Sequence, residues 1–92
     1  MQTSFFKAGT LGVSETLYID FGITAQSVSI IVDNSTNVVS SVTNAASPGA
    51  SSLWSTLIMT NNGASIAGPI TGVRLVSNAS GGTYSVRAAH LR

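Results

Sequence analysis

The stretch Thr16-Leu17-Tyr18-Ile19-Asp20-Phe21 decides the fold, because its apolar and polar side chains alternate along the chain. Successive side chains of a β-strand point to opposite faces of the sheet, so this alternation predicts a strand with one buried face. The buried face comprises Leu17, Ile19 and Phe21. Tyr18 and Asp20 face outward in this interpretation, and Gly22 is expected to end the strand.

The same alternation continues downstream. Residues 27–33 predict a second strand with an apolar inner face, followed by a turn because Asp33-Asn34-Ser35 favours local backbone hydrogen bonds. That inner face comprises Val28, Ile30 and Val32. Residues 37–43 predict a third strand of open register, since either Val38 with Val42 or Val39 fits its inner face. Residues 53–60 predict a fourth strand, and Asn61-Asn62-Gly63 predicts a tight turn.

The last third of the chain predicts a β-hairpin. Residues 71–91 hold two alternating stretches on either side of Asn78-Ala79-Ser80-Gly81-Gly82, which is typical of a hairpin turn. The register that matches their apolar faces places Arg74 directly opposite Arg87 on the other face. Like charges in that arrangement destabilise a sheet, so either Asp20, Asp33 or Glu15 of this or another subunit is expected near the two arginines, or the pair is solvated without a partner.

Strands alone must enclose the core, because no stretch has the apolar spacing of a helix. One open sheet could not cover its own apolar face, which favours two packed layers. We therefore predict an all-β fold, namely a single small antiparallel β-sandwich of jelly-roll or immunoglobulin-like topology. Residues 15–92 would form the sandwich domain, and residues 1–14 would form an N-terminal arm or an edge strand.

The composition limits the kind of partner. The 92 residues include four Lys and Arg, three Asp and Glu and no cysteine, and the net charge is +1. This charge gives little attraction to nucleic acid. No apolar run approaches the ~20 residues of a membrane span, and the N-terminus lacks the pattern of a secretory signal. Small cores without disulfides often depend on association. We expect a homo-oligomer, with no nucleic-acid or membrane partner.

Catalytic chemistry is not expected. General acid–base and nucleophilic catalysis need ionisable groups that converge in one place. The chain offers a single histidine, His90, and its carboxylates are spread between positions 15 and 33. One histidine with scattered acids does not supply the ligands of a zinc site. The sequence therefore predicts no enzyme, no catalytic or metal-binding residue, no cofactor and no small-molecule substrate.

Aromatic and basic residues are the candidates for partner binding. Phe5, Phe6 and Lys7 lie in the first segment. The two rings either anchor an arm on a neighbouring subunit or belong to an edge strand that tucks one Phe into its own core. On the first interpretation, residues 3–10 carry the contacts between subunits. Arg74 and Arg87 complete this set of candidates.

The order of motifs resembles that of a known family. Ser27-Val28-Ser29-Ile30-Ile31-Val32 precedes a strand that contains Trp54. Next, Pro69-Ile70-Thr71-Gly72-Val73-Arg74-Leu75-Val76 leads through Gly81-Gly82 into Thr83-Tyr84-Ser85-Val86. This order, over residues 15–88, is similar to small virion surface proteins of tailed bacteriophages. These are the capsid decoration (cement) and head-fibre-base proteins, whose common form is a compact β-sandwich.

The resemblance implies a non-enzymatic virion protein that binds the capsid surface as a decoration or cement subunit, often as a symmetric oligomer. Its partner would be the major capsid protein or another virion protein, and it would be made in the host cytoplasm without a signal peptide. Two alternatives stay open. One is a glycan- or receptor-binding module of a tail or fibre, with a shallow site around Trp54, Tyr18 or Tyr84. The other is a structural subunit of a tail or connector.

Overall fold

A computed structural model describes the backbone of residues 4–91 and the side chains of residues 4–90. These residues form six strands and contain no helix, because β-branched and aromatic residues alternate with Ser and Thr along much of the chain. The strands are β1 (Ser4–Leu11), β2 (Thr16–Val32), β3 (Val38–Thr43), β4 (Ser55–Thr56), β5 (Gly63–Ser77) and β6 (Gly82–Leu91). The prediction of an all-β fold is confirmed.

The strands of the described residues belong to one antiparallel sheet in the order β1-β6-β2-β5-β3-β4. The first half of β2 pairs with the second half of β5, which pairs in turn with β3, and β3 pairs with β4. The second half of β2 lies between β6 and the first half of β5, and β6 pairs with β1. We call the first group of strand segments layer A and the second group layer B.

The long strands β2 and β5 pass from one layer to the other. In β2 the register shifts between Asp20 and Ala25, and Gly22 adopts a φ of 74° that side chains with a Cβ rarely adopt. Gly22 was predicted to end the strand, and instead it lies where the strand bends. When each half of β2 and β5 is counted separately, the two layers have the strand order of a jelly roll. The sandwich therefore consists of one sheet that folds over on itself.

The two layers share one apolar core. Buried side chains from both layers form a single cluster, and its fully buried members include Val28, Ile30, Val73, Leu75 and Val86. The inner faces predicted for both halves of β2 are confirmed. In β3, Val38 and Val42 are 0% and 5% exposed whereas Val39 is 46% exposed, so the register that the sequence left open has the first pair inside.

The hairpin predicted for the last third is wrong. β5 pairs with β2 and β3, whereas β6 pairs with β1 and β2. Residues 78–81 therefore cross from layer A to layer B. Gly81 has a φ of 66° there, and a Cβ on it would lie 2.6 Å from the carbonyl oxygen of Leu11. The glycine thus permits a close layer crossing, and Arg74 and Arg87 do not lie opposite each other.

The predicted fourth strand is much shorter than expected. Only Ser55–Thr56 pairs with β3, and the side chains of Leu53 and Ile58 on either side are each 92% exposed. The turn predicted after this segment is confirmed, because Asn61 and Asn62 have φ values of 52° and 63°. Two successive residues with positive φ are the signature of a tight hairpin turn.

Candidate functional site

The outer face of layer A is covered by the loop of residues 44–54. Pro48 lies over Gly72, where an added Cβ would come within 2.8 Å of the proline ring. The hydroxyl of Thr43 donates a hydrogen bond of 2.7 Å to the carbonyl oxygen of Leu53. Thr43 points away from the core and is nevertheless only 5% exposed. The loop therefore shields a large part of this face from solvent.

A row of polar side chains crosses the same face. Tyr18, Arg74, Ser41 and Thr56 are register neighbours on β2, β5, β3 and β4. The half-buried indole of Trp54 lies over this row. Its ring centre is 5.3 Å from the guanidinium carbon of Arg74 and 5.8 Å from the ring centre of Tyr18. We call Tyr18, Trp54 and Arg74 the Trp54 cluster.

Arg74 has few hydrogen-bond partners in this cluster. Its Nη2 donates to the hydroxyl of Ser41 at 3.3 Å. Its Nε is buried and has no hydrogen-bond partner, and no carboxylate of the described residues forms an ion pair with the guanidinium. The anionic group predicted near Arg74 is therefore absent from the described part of the chain, and an indole ring lies there instead. The ring itself is held by a hydrogen bond of 3.0 Å from its Nε1 to the carbonyl oxygen of Gly49.

The outer face of layer B has no covering loop among the described residues. Register neighbours on β1, β6, β2 and β5 form this surface, which we call the open face. Most of its side chains are small: Ser4, Ala8, Thr10, Ser27, Ser29, Ser65, Ala67, Thr83, Ser85 and Ala89. Phe6 and Ile31 are the large apolar side chains of this surface, and each is 60% exposed.

Arg87 lies at the centre of the open face. It is the register neighbour of Phe6 on β1 and of Ser29 on β2. Its guanidinium carbon is 5.5 Å from the centre of the Phe6 ring, and the side chain is exposed. No carboxylate of residues 4–90 forms an ion pair with it, so the anionic partner predicted for Arg87 is also absent there.

The first segment forms an edge strand, with its two phenylalanines on opposite faces. Phe5 packs against the core, and its ring centre is 5.0 Å from that of Phe21. Phe6 points to the open face. Lys7 lies on the core side of β1 opposite Val86 and is exposed at the edge of the sheet. Of residues 3–10, which the sequence assigned to partner contacts, residues 4–10 thus pair with β6, and residue 3 lies outside the described residues.

The ionisable groups that acid–base chemistry would need lie apart from one another. Glu15 accepts a hydrogen bond from the backbone of Gly12, Asp20 accepts one from Gly22, and Asp33 accepts one from Thr83. The structure contains no group of three or more His, Cys, Asp and Glu side chains that could hold a metal ion within the described range. The three carboxylates therefore accept hydrogen bonds from backbone amides, which for Glu15 and Asp20 are near in sequence and for Asp33 belong to β6.

A shallow cleft of about 330 Å³ lies between β3 and the first half of β5. Val42, Leu53, Ile66 and Ile70 supply its apolar lining, and none of its lining residues is charged. The cleft thus offers no ionisable group for a reaction. In addition, the described residues hold no helix with the length and apolar character that crossing a membrane requires.

The comparisons with known proteins concern the fold. No protein-family model matches the chain, and no curated protein sequence matches it. PliG of Aeromonas hydrophila, a periplasmic lysozyme inhibitor of g-type lysozyme, is similar in structure with a TM-score of 0.53. Its sequence is 16% identical, over 98% of this chain and 87% of that chain. The Yersinia pseudotuberculosis-derived mitogen has a TM-score of 0.50 at 9% identity, over 97% and 86% of the two chains. At these identities the likeness shows the fold alone.

Sequence reasoning identified Phe6, Tyr18, Trp54, Arg74 and Arg87 but not which of them lie together. Tyr84, a candidate for a shallow site, is only 8% exposed and belongs to the core. Ile31 was not singled out. The sequence did contain a signal for Ile31. If residues 28, 30 and 32 point inward, this apolar residue between them must point outward.

Proposed function

We propose that this protein is a non-enzymatic structural subunit of a virion, and that it binds the capsid surface as a decoration or cement protein. Its open face would be the docking surface for another protein subunit. The observation that carries the proposal is the exposure of Phe6 and Ile31, 60% each, on a sheet face whose other side chains, apart from Arg87, are small and uncharged. Large apolar side chains exposed together on one surface are typical of protein–protein contact sites.

The chemistry of the open face favours a protein partner. Ser, Thr and Ala side chains leave the sheet flat, and they lose little rotamer freedom when they become buried. Arg87 is the charged group at its centre, and its aliphatic stem and planar head suit an interface beside an aromatic ring. Docking would therefore cover Phe6 and Ile31 while it desolvates few charges.

The virion as location is supported by the resemblance to phage surface proteins and by the low charge of the chain. The partner would be the major capsid protein or another virion protein, and the subunit would act as a homo-oligomer. PliG has a similar fold and is described as an inhibitor of lysozyme, so this architecture is compatible with binding a protein without turnover. A tail or connector subunit would use the open face in an assembly of another symmetry. An image of the assembly would distinguish such a subunit from a capsid decoration protein.

The experiment replaces the two exposed apolar side chains with serine, as Phe6→Ser together with Ile31→Ser. We expect this variant to lose the oligomer and to have the 9.4 kDa mass of a single chain in solution. We also expect it to lose occupancy on purified capsids, because the docking surface loses its apolar anchors. Deletion of the first segment would be less informative, since it would also remove the Phe5 contact with the core.

Ile58→Ser is the matched control, because this side chain is 92% exposed and lies outside the open face. It should leave both the mass and the occupancy unchanged. Full oligomerisation and full capsid occupancy by the double serine variant would remove the open face from the proposal. A single-chain mass for the unaltered protein, together with no binding to capsids, would remove the structural role itself.

A second candidate function is favoured by a different observation. Tyr18 and Trp54 lie 5.8 Å apart on the other side of the molecule, and Tyr18 is 40% exposed. Adjacent aromatic rings on a shallow surface are suited to stacking against sugar rings. On this candidate the protein is a glycan- or receptor-binding module of a tail or fibre. A glycan array would test it, with Trp54→Ala expected to lose the signal.

A further inference from the structure

We propose that the Trp54 cluster binds an acidic glycan, with a sugar ring stacked on the exposed ring of Tyr18 beside Trp54 and its carboxylate held by Arg74. This inference rests on the second candidate function, glycan binding, and names the class of ligand for it. The open face and the structural role do not depend on it.

Arg74 has hydrogen-bond donors that no described residue uses. A guanidinium carries five N–H groups in one plane, and in this structure one nitrogen, Nη2, donates to Ser41. The Nε–H is buried without an acceptor among the described residues. The Nη1 amino group also has no acceptor among the described residues, and unlike Nε it is not buried, so it can donate to a ligand at the surface. The fork of a guanidinium matches a carboxylate, which accepts two parallel hydrogen bonds.

The contact with Trp54 and the binding of an anion use different parts of the Arg74 guanidinium. The guanidinium carbon of Arg74 lies over the Trp54 ring, 5.3 Å from the ring centre. This contact uses the charge of the guanidinium, whereas a carboxylate accepts hydrogen bonds from N–H groups at its edge, so the two interactions can coexist. The indole also keeps the planar group in one orientation, which lowers the entropy lost when a ligand binds.

The residues around Arg74 favour a sugar over a peptide as the carrier of the carboxylate. The row through Arg74 ends in two hydroxyls, because the Ser41 and Thr56 oxygens lie 3.4 Å apart. Thr56 is exposed and can exchange hydrogen bonds with a sugar hydroxyl. The other end of the row is the exposed ring of Tyr18. A surface row with an aromatic ring, a guanidinium and hydroxyls in line fits one or two sugar units. It offers no apolar pocket for a peptide side chain.

The experiment uses the fluorescence of Trp54, which reports on this site alone because the chain contains one tryptophan. The probes are a short oligomer of glucuronic acid, the matched oligomer of glucose, and tetraglutamate. We expect a saturable change with the acidic sugar only, weaker at high salt because an ion pair is screened. Arg74→Gln should lower the affinity at least about tenfold, in line with the loss of a charge-assisted hydrogen bond. Arg87→Gln, which alters the other arginine stacked on a ring, should leave the affinity within about twofold.

Each other outcome overturns a stated part of the inference. Equal binding of the neutral oligomer, unaffected by Arg74→Gln, would overturn the carboxylate while glycan binding stands. Equal binding of tetraglutamate would overturn the sugar. No response to any probe by the folded protein would overturn both the inference and the second candidate function. If Arg74→Gln does not fold, Arg74→Lys replaces it, and undiminished affinity in that variant would overturn the role of the planar fork.

Discussion

The outer faces of the two layers pair the same kinds of side chain in different surroundings. Arg74 stacks on Trp54 at 5.3 Å in layer A, and Arg87 stacks on Phe6 at 5.5 Å in layer B. The first pair is half-buried under the loop of residues 44–54, whereas the second lies in solvent. The loop packs on the outer face of layer A through Pro48 and Leu53, and no described loop covers the open face.

The largest effect is expected in the core that joins the two faces. Leu75 of layer A and Ile30 of layer B are both 0% exposed. Leu75→Ala and Ile30→Ala should each lower the free energy of unfolding by about 2–4 kcal/mol, because each leaves a cavity in the same cluster. Chemical denaturation would measure it, with the exposed Val39→Ala as a control expected within about 0.5 kcal/mol. Losses below about 0.5 kcal/mol at both core sites, or separate unfolding of the two layers, would contradict a shared core.

The next largest effect is expected when one glycine on the outer face of layer A is compared with one glycine on the open face. A Cβ at Gly72 would meet the Pro48 ring at 2.8 Å and the Ile19 carbonyl oxygen at 2.9 Å, whereas a Cβ at Gly63 would find its nearest atom at 3.6 Å. Gly72→Ala should lower the free energy of unfolding by about 1–3 kcal/mol through overpacking. Gly63→Ala should stay within about 0.5 kcal/mol. Equal thermal unfolding midpoints for the two variants would mean that the loop does not cover layer A.

The smallest effect compares the two rings. Trp54→Ala should lower the free energy of unfolding by about 1–2 kcal/mol, because the half-buried indole covers part of the layer A face. Phe6→Ala should change it by no more than about 0.5 kcal/mol, since that ring is 60% exposed. Urea titration of both variants measures the difference. A larger loss at Phe6 than at Trp54 would reverse the assignment of covered and open faces.

The inner faces of the strands could be predicted from the sequence, and their partners could not. Alternation predicted that Val28 and Ile30 point inward. Alternate side chains of a strand point to the same face of the sheet, and this does not depend on which strand is the neighbour. Pairing depends on contacts between distant parts of the chain. Gly81-Gly82 satisfies the pattern of a hairpin turn and of a layer crossing equally well, and only the packing against Leu11 decides between them.

The Trp54 cluster shows the same limit. The outward positions of Tyr18 and Arg74 follow from alternation, but their adjacency requires the pairing of β2 with β5, which are far apart in sequence. The place of Trp54 depends on the path of a loop that Gly, Pro and Ser leave unpatterned. Electrostatic reasoning expected an anionic group near Arg74, and the part of the chain that the structure describes places an indole ring there.

Lys7, on the core side of the edge strand β1, affects how the sheet can pair with another molecule. β1 is a long outer strand whose backbone groups could pair with a strand of another molecule, which is the usual start of cross-β aggregation. A strand added beside it would bring its own core-side residues next to the ammonium group of Lys7, and a second copy in the symmetric arrangement would bring another lysine. Extension of the sheet beyond its rim is thereby discouraged.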